Sequence, residues 1–279
     1  MIHQDGTFKD AQDNNIYYQC WLPEGDPKAV MLVVHGLAEH SGRYMNIVNH
    51  FVPSGWAVYG IDHFGHGKSD GTRVFVERFQ KFPDTVKLFF DMVREWQPEK
   101  QVFLTGHSMG GLIGASYLLE HQNELAGAVI SAPSVKIPDD ISAVTISMGK
   151  ILSKIIPKAG IIKLDAAYIS KDPEVVKAYN DDPLVYNGKI TARLAAELLA
   201  AMKNLADQAQ KITLPLLLVQ GSADKMVDPD GARFLFDLVT SEDKEIKIYD
   251  GFYHEVFNEP EKERVLKDVE MWLERHLGD

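Results

Sequence analysis

A chain of 279 residues, 45% hydrophobic and 25% charged, holds enough apolar surface for one large α/β domain or two small ones, with the polar surface of an ordinary globular enzyme. A net charge of −11 argues against a nucleic-acid partner, and the single cysteine, Cys20, rules out an internal disulfide and a thiolate metal site. Met1 to Gly6 is neither basic nor apolar enough for a signal peptide, and no run reaches the roughly 20 apolar residues of a membrane span, so a cytoplasmic location is expected.

In chain order, Thr7–Lys9 and Ile16–Leu22 read as two strands around a polar turn, hence an antiparallel hairpin. Ala29–Val34 is a nearly unbroken apolar run, as expected of a strand buried on both faces of a parallel sheet. A helix over about Asn46–Ser54 leads to a strand at Trp56–Ile61 and then to the glycine-rich loop Asp62–Gly71. Phe75–Glu95 reads as helix, with Val86, Phe89, Phe90 and Val93 at helical spacing. Further strands are expected at Val102–Leu104, Leu125–Ile130, Leu216–Gln220 and Glu245–Tyr249, with helices at Gly231–Val239 and Arg264–His276. The pattern predicts an α/β fold: an eight-stranded, mostly parallel sheet flanked by helices, with an antiparallel start.

One block breaks the alternation. From Pro133 to Ile212 no convincing strand occurs, and helical pieces are expected instead at Ala143–Ile156, Pro173–Tyr179 and Thr191–Gln210. Residues 133–212 therefore read as a helical cap inserted after the sixth strand of a core formed by 1–132 and 213–279. That position lies over the crevice where such sheets bind ligands.

The chemistry centres on Gly106-His107-Ser108-Met109-Gly110, between a strand-length apolar run and a run of small residues. This Gly-x-Ser-x-Gly turn is a nucleophile elbow, in which the tight turn strains the serine and exposes its Oγ. The Met109 N–H, at the start of the following helix, is placed where an oxyanion would develop, and Leu37, in the loop after the third strand, is assigned the second oxyanion N–H. A serine nucleophile needs a base and the base an acid, in the order Ser, Asp or Glu, His for this fold. Only His254 and His276 lie late enough in the chain. His276 ends a terminal helix, where a cation suits the dipole, so His254 is the base. Asp224, first in the loop after Leu216–Gln220, is preferred as the acid over Asp228 and Asp230, which flank Pro229 in a turn. His35 and His107 read as bracing residues, and the spacing of His35, His63 and His66 matches no common metal pattern. No metal and no cofactor are expected.

Together these residues resemble the monoacylglycerol lipase family of serine hydrolases over nearly the whole chain. The stretches that carry the likeness are His35-Gly36-x-x-Glu39-His40-Ser41-Gly42-Arg43-Tyr44, Asp62-His63-x-Gly65-His66-Gly67-x-Ser69, the elbow, Ser170-x-Asp172-Pro173 and Tyr179-Asn180-x-Asp182-Pro183-Leu184. The chain departs from the usual pattern at Ala38, where glycine is frequent. The resemblance implies cleavage of monoacylglycerols through an acyl-serine, and places Arg43 and Tyr179 near the glycerol end of the pocket as substrate-binding residues. A lysophospholipase or general carboxylesterase would use the same triad, and a silent lipid-binding module is the alternative outside enzymes. In the cap, Val144, Met148, Ile151, Leu152 and Ile155 form one apolar stripe over 142–156, with Ser147, Lys150 and Lys154 between them. Such a helix suits peripheral contact with a membrane, or equally a stripe packed on the core.

Overall fold

Five apolar runs form the buried centre of the computed structural model, which describes residues 1–137 and 142–278, with the backbone alone of 143–147. The chain opens with β1 (Ile2–Lys9) antiparallel to β2 (Asn15–Leu22), paired from Ile2 with Leu22 to Lys9 with Asn15. This hairpin starts five residues before the expected Thr7. Then come β3 (Ala29–Val34), α1 (Met45–Phe51), β4 (Trp56–Ile61), α2 (Lys81–Trp96), β5 (Val102–His107), α3 (Met109–His121) and β6 (Gly127–Ser131).

After the insertion, which holds α4 (Ala143–Ile155), β7 (Gly160–Lys163), α5 (Pro173–Asp181), β8 (Lys189–Thr191) and α6 (Ala192–Gln208), the core resumes. Its last elements are β9 (Leu216–Gly221), α7 (Gly231–Leu238), β10 (Lys244–Tyr249) and α8 (Lys262–Arg275). The sheet order is β1-β2-β4-β3-β5-β6-β9-β10, parallel from β4 onward.

β3, β4, β5, β6 and β9 are buried along their whole length, as strands covered on both faces must be. Alternate residues serve opposite layers. Val30, Leu32 and Val34 pack with Phe89, Leu112 and Leu205, whereas Met31 and Val33 pack with Phe51, Val265 and Trp272. The chain runs from β3 outward to β4 and returns to β5 on the other side of β3. The loops leaving β3 and β5 therefore diverge at a topological switch point, the position where sheets of this kind bind ligands.

Two expectations are corrected. Helix α2 begins at Lys81 rather than Phe75, because Pro83 lacks an N–H and belongs in a first turn. The insertion also contains a short antiparallel ribbon, β7 with β8, in which Ile162 faces Ile190. Strands of four and three residues leave too little alternation to read from sequence. Within this stretch α6 packs on α3 and gives Leu194, Leu198 and Leu205 to the main core. In α4, Met148, Ile151 and Ile155 are 65%, 59% and 71% exposed and Leu152 is half-buried, so most of the described part of the apolar stripe faces outward. The side chains of Val144 and Ser147 lie outside the described residues. Among the described residues no helix is long and apolar enough to cross a membrane.

Candidate active site

Strand β5 delivers Ser108 directly into α3 through a residue with φ 56° and ψ −118°, the left-handed side of backbone space that L residues seldom occupy. The flanking glycines make this possible. A Cβ on Gly106 would sit 2.5 Å from the Gly110 carbonyl oxygen, and one on Gly110 would sit 2.0 Å from that of Val34. The turn is pinned by the Ser108 N–H donating to Ser131 O at 2.9 Å. Met109 opens α3, so its N–H is among those without an intrahelical acceptor. It lines the same cavity as Ser108 and Leu37.

The peptide carrying the Leu37 N–H is aimed by its neighbours. His35 Nε2 accepts from the His63 N–H at 2.9 Å, so the ring proton is on Nδ1, which donates to Gly36 O at 2.7 Å. Gly36 O and the Leu37 N–H are opposite ends of one planar peptide, and fixing the first orients the second. Glu39 Oε1 accepts from the Gly36 N–H at 2.6 Å, and Ala38 adopts φ 65°, the conformation that explains why glycine suits this place. The rings of His35, His63 and His66 pack together at tilted and edge-on angles, with both His63 ring nitrogens unpartnered. Among the described residues no group of three or more His, Cys, Asp or Glu is arranged to hold a metal.

His254 lies in the loop after β10 and donates from Nδ1 to Asp224 Oδ2 at 2.8 Å, both side chains being buried. Asp224 Oδ1 accepts from the Met226 and Val227 N–H groups at 2.8 and 3.2 Å. Asp228 instead binds Lys136 and the Asp230 N–H. His276 is held by Trp272 O and Asp243 at the end of α8. Ser108 and His254 line one cavity of about 80 Å³, although among the described residues no hydrogen bond joins their reacting atoms, a looseness common without substrate.

Burial disfavours the imidazolium of His254, but Asp224 outweighs it and raises the group above its ordinary 6.5. His107, whose ring centre is 4.6 Å from that of His254, is brought down to about 4 by burial and by His254 itself. A second charge beside the His254 imidazole is thereby avoided at neutral pH.

The polar end of the cavity holds Glu39, His107, Tyr179 and Glu255, and its apolar wall holds Leu164, Ile169, Leu198 and Met226. Tyr179 thus lines the cavity. Arg43 lines a smaller adjoining one instead, clamped between Glu39 and Glu255 with its guanidinium 4.6 Å from the centre of the Tyr179 ring. Sequence reasoning gave Glu255 no role. Its one signal was a carboxylate adjacent to His254 in the sequence.

A family model described as serine aminopeptidase, S33, matches residues 25–261. A monoacylglycerol lipase of Mycolicibacterium smegmatis is 40% identical over 262 residues, 94% of either chain. The chain belongs to the monoacylglycerol lipase family. Human monoglyceride lipase is 34% identical over 281 residues, covering all of this chain and 90% of that one. The crystal structure of Paleococcus ferrophilus monoacylglycerol lipase matches with a TM-score of 0.82 and 32% identity, over 94% of this chain and 99% of that one. As a member of this family the protein is a serine hydrolase of the α/β-hydrolase fold, and the sequence expectation of family, fold and enzyme class stands.

Proposed function

We propose that the protein hydrolyses monoacylglycerols to glycerol and fatty acid, with Ser108 as nucleophile, His254 as base and Asp224 as its orienting acid. His254 Nε2 takes the Ser108 proton as Oγ attacks the ester carbonyl. The Leu37 and Met109 N–H groups stabilise the tetrahedral oxyanion. Collapse expels glycerol, which takes the proton from His254. Water, deprotonated by His254, then releases the fatty acid and restores Ser108. The observation that carries this reading is the His254–Asp224 hydrogen bond on the cavity that Ser108 lines.

The space available matches a head group. About 80 Å³ accommodates on the order of six waters, enough for a glycerol unit and too little for a long acyl chain. Segment 133–212 acts as a lid whose outer helix shifts to admit the chain, and the outward stripe of α4, with Lys150 and Lys154 exposed beside it, meets the lipid surface where the substrate resides. Tyr179 contacts the head group, and Arg43 acts from behind by holding the carboxylates. The test is labelling by a fluorophosphonate with the mass shift on Ser108, together with turnover of mono-oleoylglycerol. Ser108→Ala and His254→Ala should each lower turnover by about 10⁵-fold and should not be additive, while His276→Ala should change little. Damage from His276→Ala instead would overturn the assignment.

A further inference from the structure

Four hydrogen bonds enclose the Asp224 carboxylate. Oδ1 accepts from the Met226 and Val227 N–H groups, and Oδ2 accepts from His254 Nδ1 at 2.8 Å and from Gln220 Nε2 at 3.3 Å. A carboxylate has about four acceptor positions, so these partners fill it. Gln220 is the second-last residue of β9, wholly buried, and does not line the cavity that Ser108 lines. Its amide has one orientation. Oε1 accepts from the Ala232 N–H at 2.8 Å, in the first turn of α7 where no intrahelical acceptor exists. Nε2 places its second proton on Asp228 O at 3.2 Å. A flipped amide would set oxygen against two acceptors and nitrogen against a donor.

We propose that Gln220 is a positioning residue for the reaction: it holds the Asp224 carboxylate towards His254 and, by donating to the same oxygen, tempers its pull on the imidazole. The proposal rests on the triad given above and adds to it a residue that lies behind the acid. Capping α7 requires Oε1 alone and leaves the donation to Asp224 without a purpose. A proton given to a carboxylate oxygen stabilises the charge there. Oδ2 is thus less attractive to an imidazolium than an oxygen bonded to His254 alone. In a buried network such neighbouring bonds act on one another strongly.

Burial would raise Asp224, but His254 and the Met226 and Val227 N–H groups outweigh it and hold the group below its ordinary 3.8. The other titratable groups facing His254 are Glu39, His107 and Glu255, and none of them bonds to Gln220. A change at Gln220 therefore reaches His254 through Asp224.

Gln220→Met keeps the length of the side chain and removes both donated hydrogen bonds. On acidification, kcat/KM for p-nitrophenyl butyrate should then fall at a midpoint about half a pH unit higher, because the imidazolium gains the pull that Gln220 tempers. Plateau kcat should fall about threefold with KM unchanged, since the acid loses a hold and the cavity keeps its lining. A residue that only caps α7 would lower the melting temperature and leave the midpoint where it stands. An unmoved midpoint, with Asp224→Asn inactive, would overturn the role of Gln220 and leave the triad standing. Full turnover by Asp224→Asn would overturn the triad and this proposal with it. Should Gln220→Met fail to fold, the wild type decides. Its Gln220 side-chain amide protons, followed by NMR, should titrate with the midpoint of kcat/KM, and resonances that stay fixed through that midpoint would overturn the proposal.

Discussion

Residues 142–163 and 166–191 belong to the same insertion, and they differ in what they fasten to. In the first, Met148, Ile151, Ile155, Ile156 and Ile162 are exposed, and the backbone ties at its end run to the start of α6, through Ala159 O and Pro157 O. In the second, hydrogen bonds run to the loop of His254 and to the loop of Leu37 and Ala38. Ile169 O accepts from the Glu255 N–H at 2.7 Å, and Ser170 Oγ donates to Asn258 O. Glu259 Oε1 accepts from the N–H groups of both Lys171 and Tyr253. On the other side, the Tyr186 N–H donates to Ala38 O at 2.8 Å, and His40 donates to Asp182 at 2.9 Å. The second half braces the loops of Ala38 and His254, while the first packs through α4 on α6 and pairs β7 with β8.

The largest expected break is at the brace. Asp182→Ala removes the His40 contact and the acceptor for the Leu184 N–H, and should lower kcat for every ester, p-nitrophenyl butyrate included, by about tenfold. KM should change less. An effect confined to long-chain substrate would erase the distinction between the halves. Of similar size, but confined to vesicle-borne substrate, is the effect expected at the outer half. Ile151→Ser with Ile155→Ser should reduce vesicle binding and turnover of vesicle-borne mono-oleoylglycerol about tenfold, and leave the butyrate ester untouched. Because both side chains are exposed, the melting temperature should move by only about 1–2 °C. A large fall in melting temperature with unchanged vesicle binding would mean that the stripe packs inward.

Acid should separate catalysis from the brace. His254, raised by Asp224, must be neutral to act, so kcat/KM should fall as pH drops through a value above 6.5. Stability moves the other way at this group, since its charged pair contributes below 6.5 and is lost as pH rises through the raised value. Burial would raise Asp182, but His40 and the Leu184 N–H outweigh it and hold it below its ordinary 3.8. Its contribution is present above 3.8 and is lost only as pH falls through the lowered value. Activity lost at pH 5 should therefore return fully at pH 8, as a pH-jump assay would record. The smallest effect is expected at Ala38→Gly. Relief of a left-handed alanine and the added entropy of an unfolded glycine nearly cancel, leaving a stability change within about 0.5 kcal/mol by denaturant titration.

These distinctions were unevenly legible beforehand. The sheet could be read because burial on both faces writes itself as unbroken apolar runs, as in Ala29–Val34 and Trp56–Ile61. Ser108 follows from a turn only glycines permit, and the choice of Asp224 and His254 follows from chain order. The clamp on Arg43 joins residues 212 positions apart, and no local pattern reports such a contact. Nor does periodicity tell which way a stripe points. The spacing of Met148, Ile151 and Ile155 is the same for a helix facing the core or facing out, and exposure alone separated them.

The chain leaves the sheet after β6 and comes back on β9, its immediate parallel neighbour, with the Ala132 N–H already bonded to Val219 O at the exit. Departure and return points that sit side by side make the intervening stretch a cassette. Its length and sequence can be rewritten without altering a single pairing of the eight-stranded sheet, and loop closure costs only about 0.6 kcal/mol per doubling. Where α6 and the braces of 166–191 are kept, a descendant of this fold can exchange the outer part of its roof without disturbing the loops of Ala38 and Glu255.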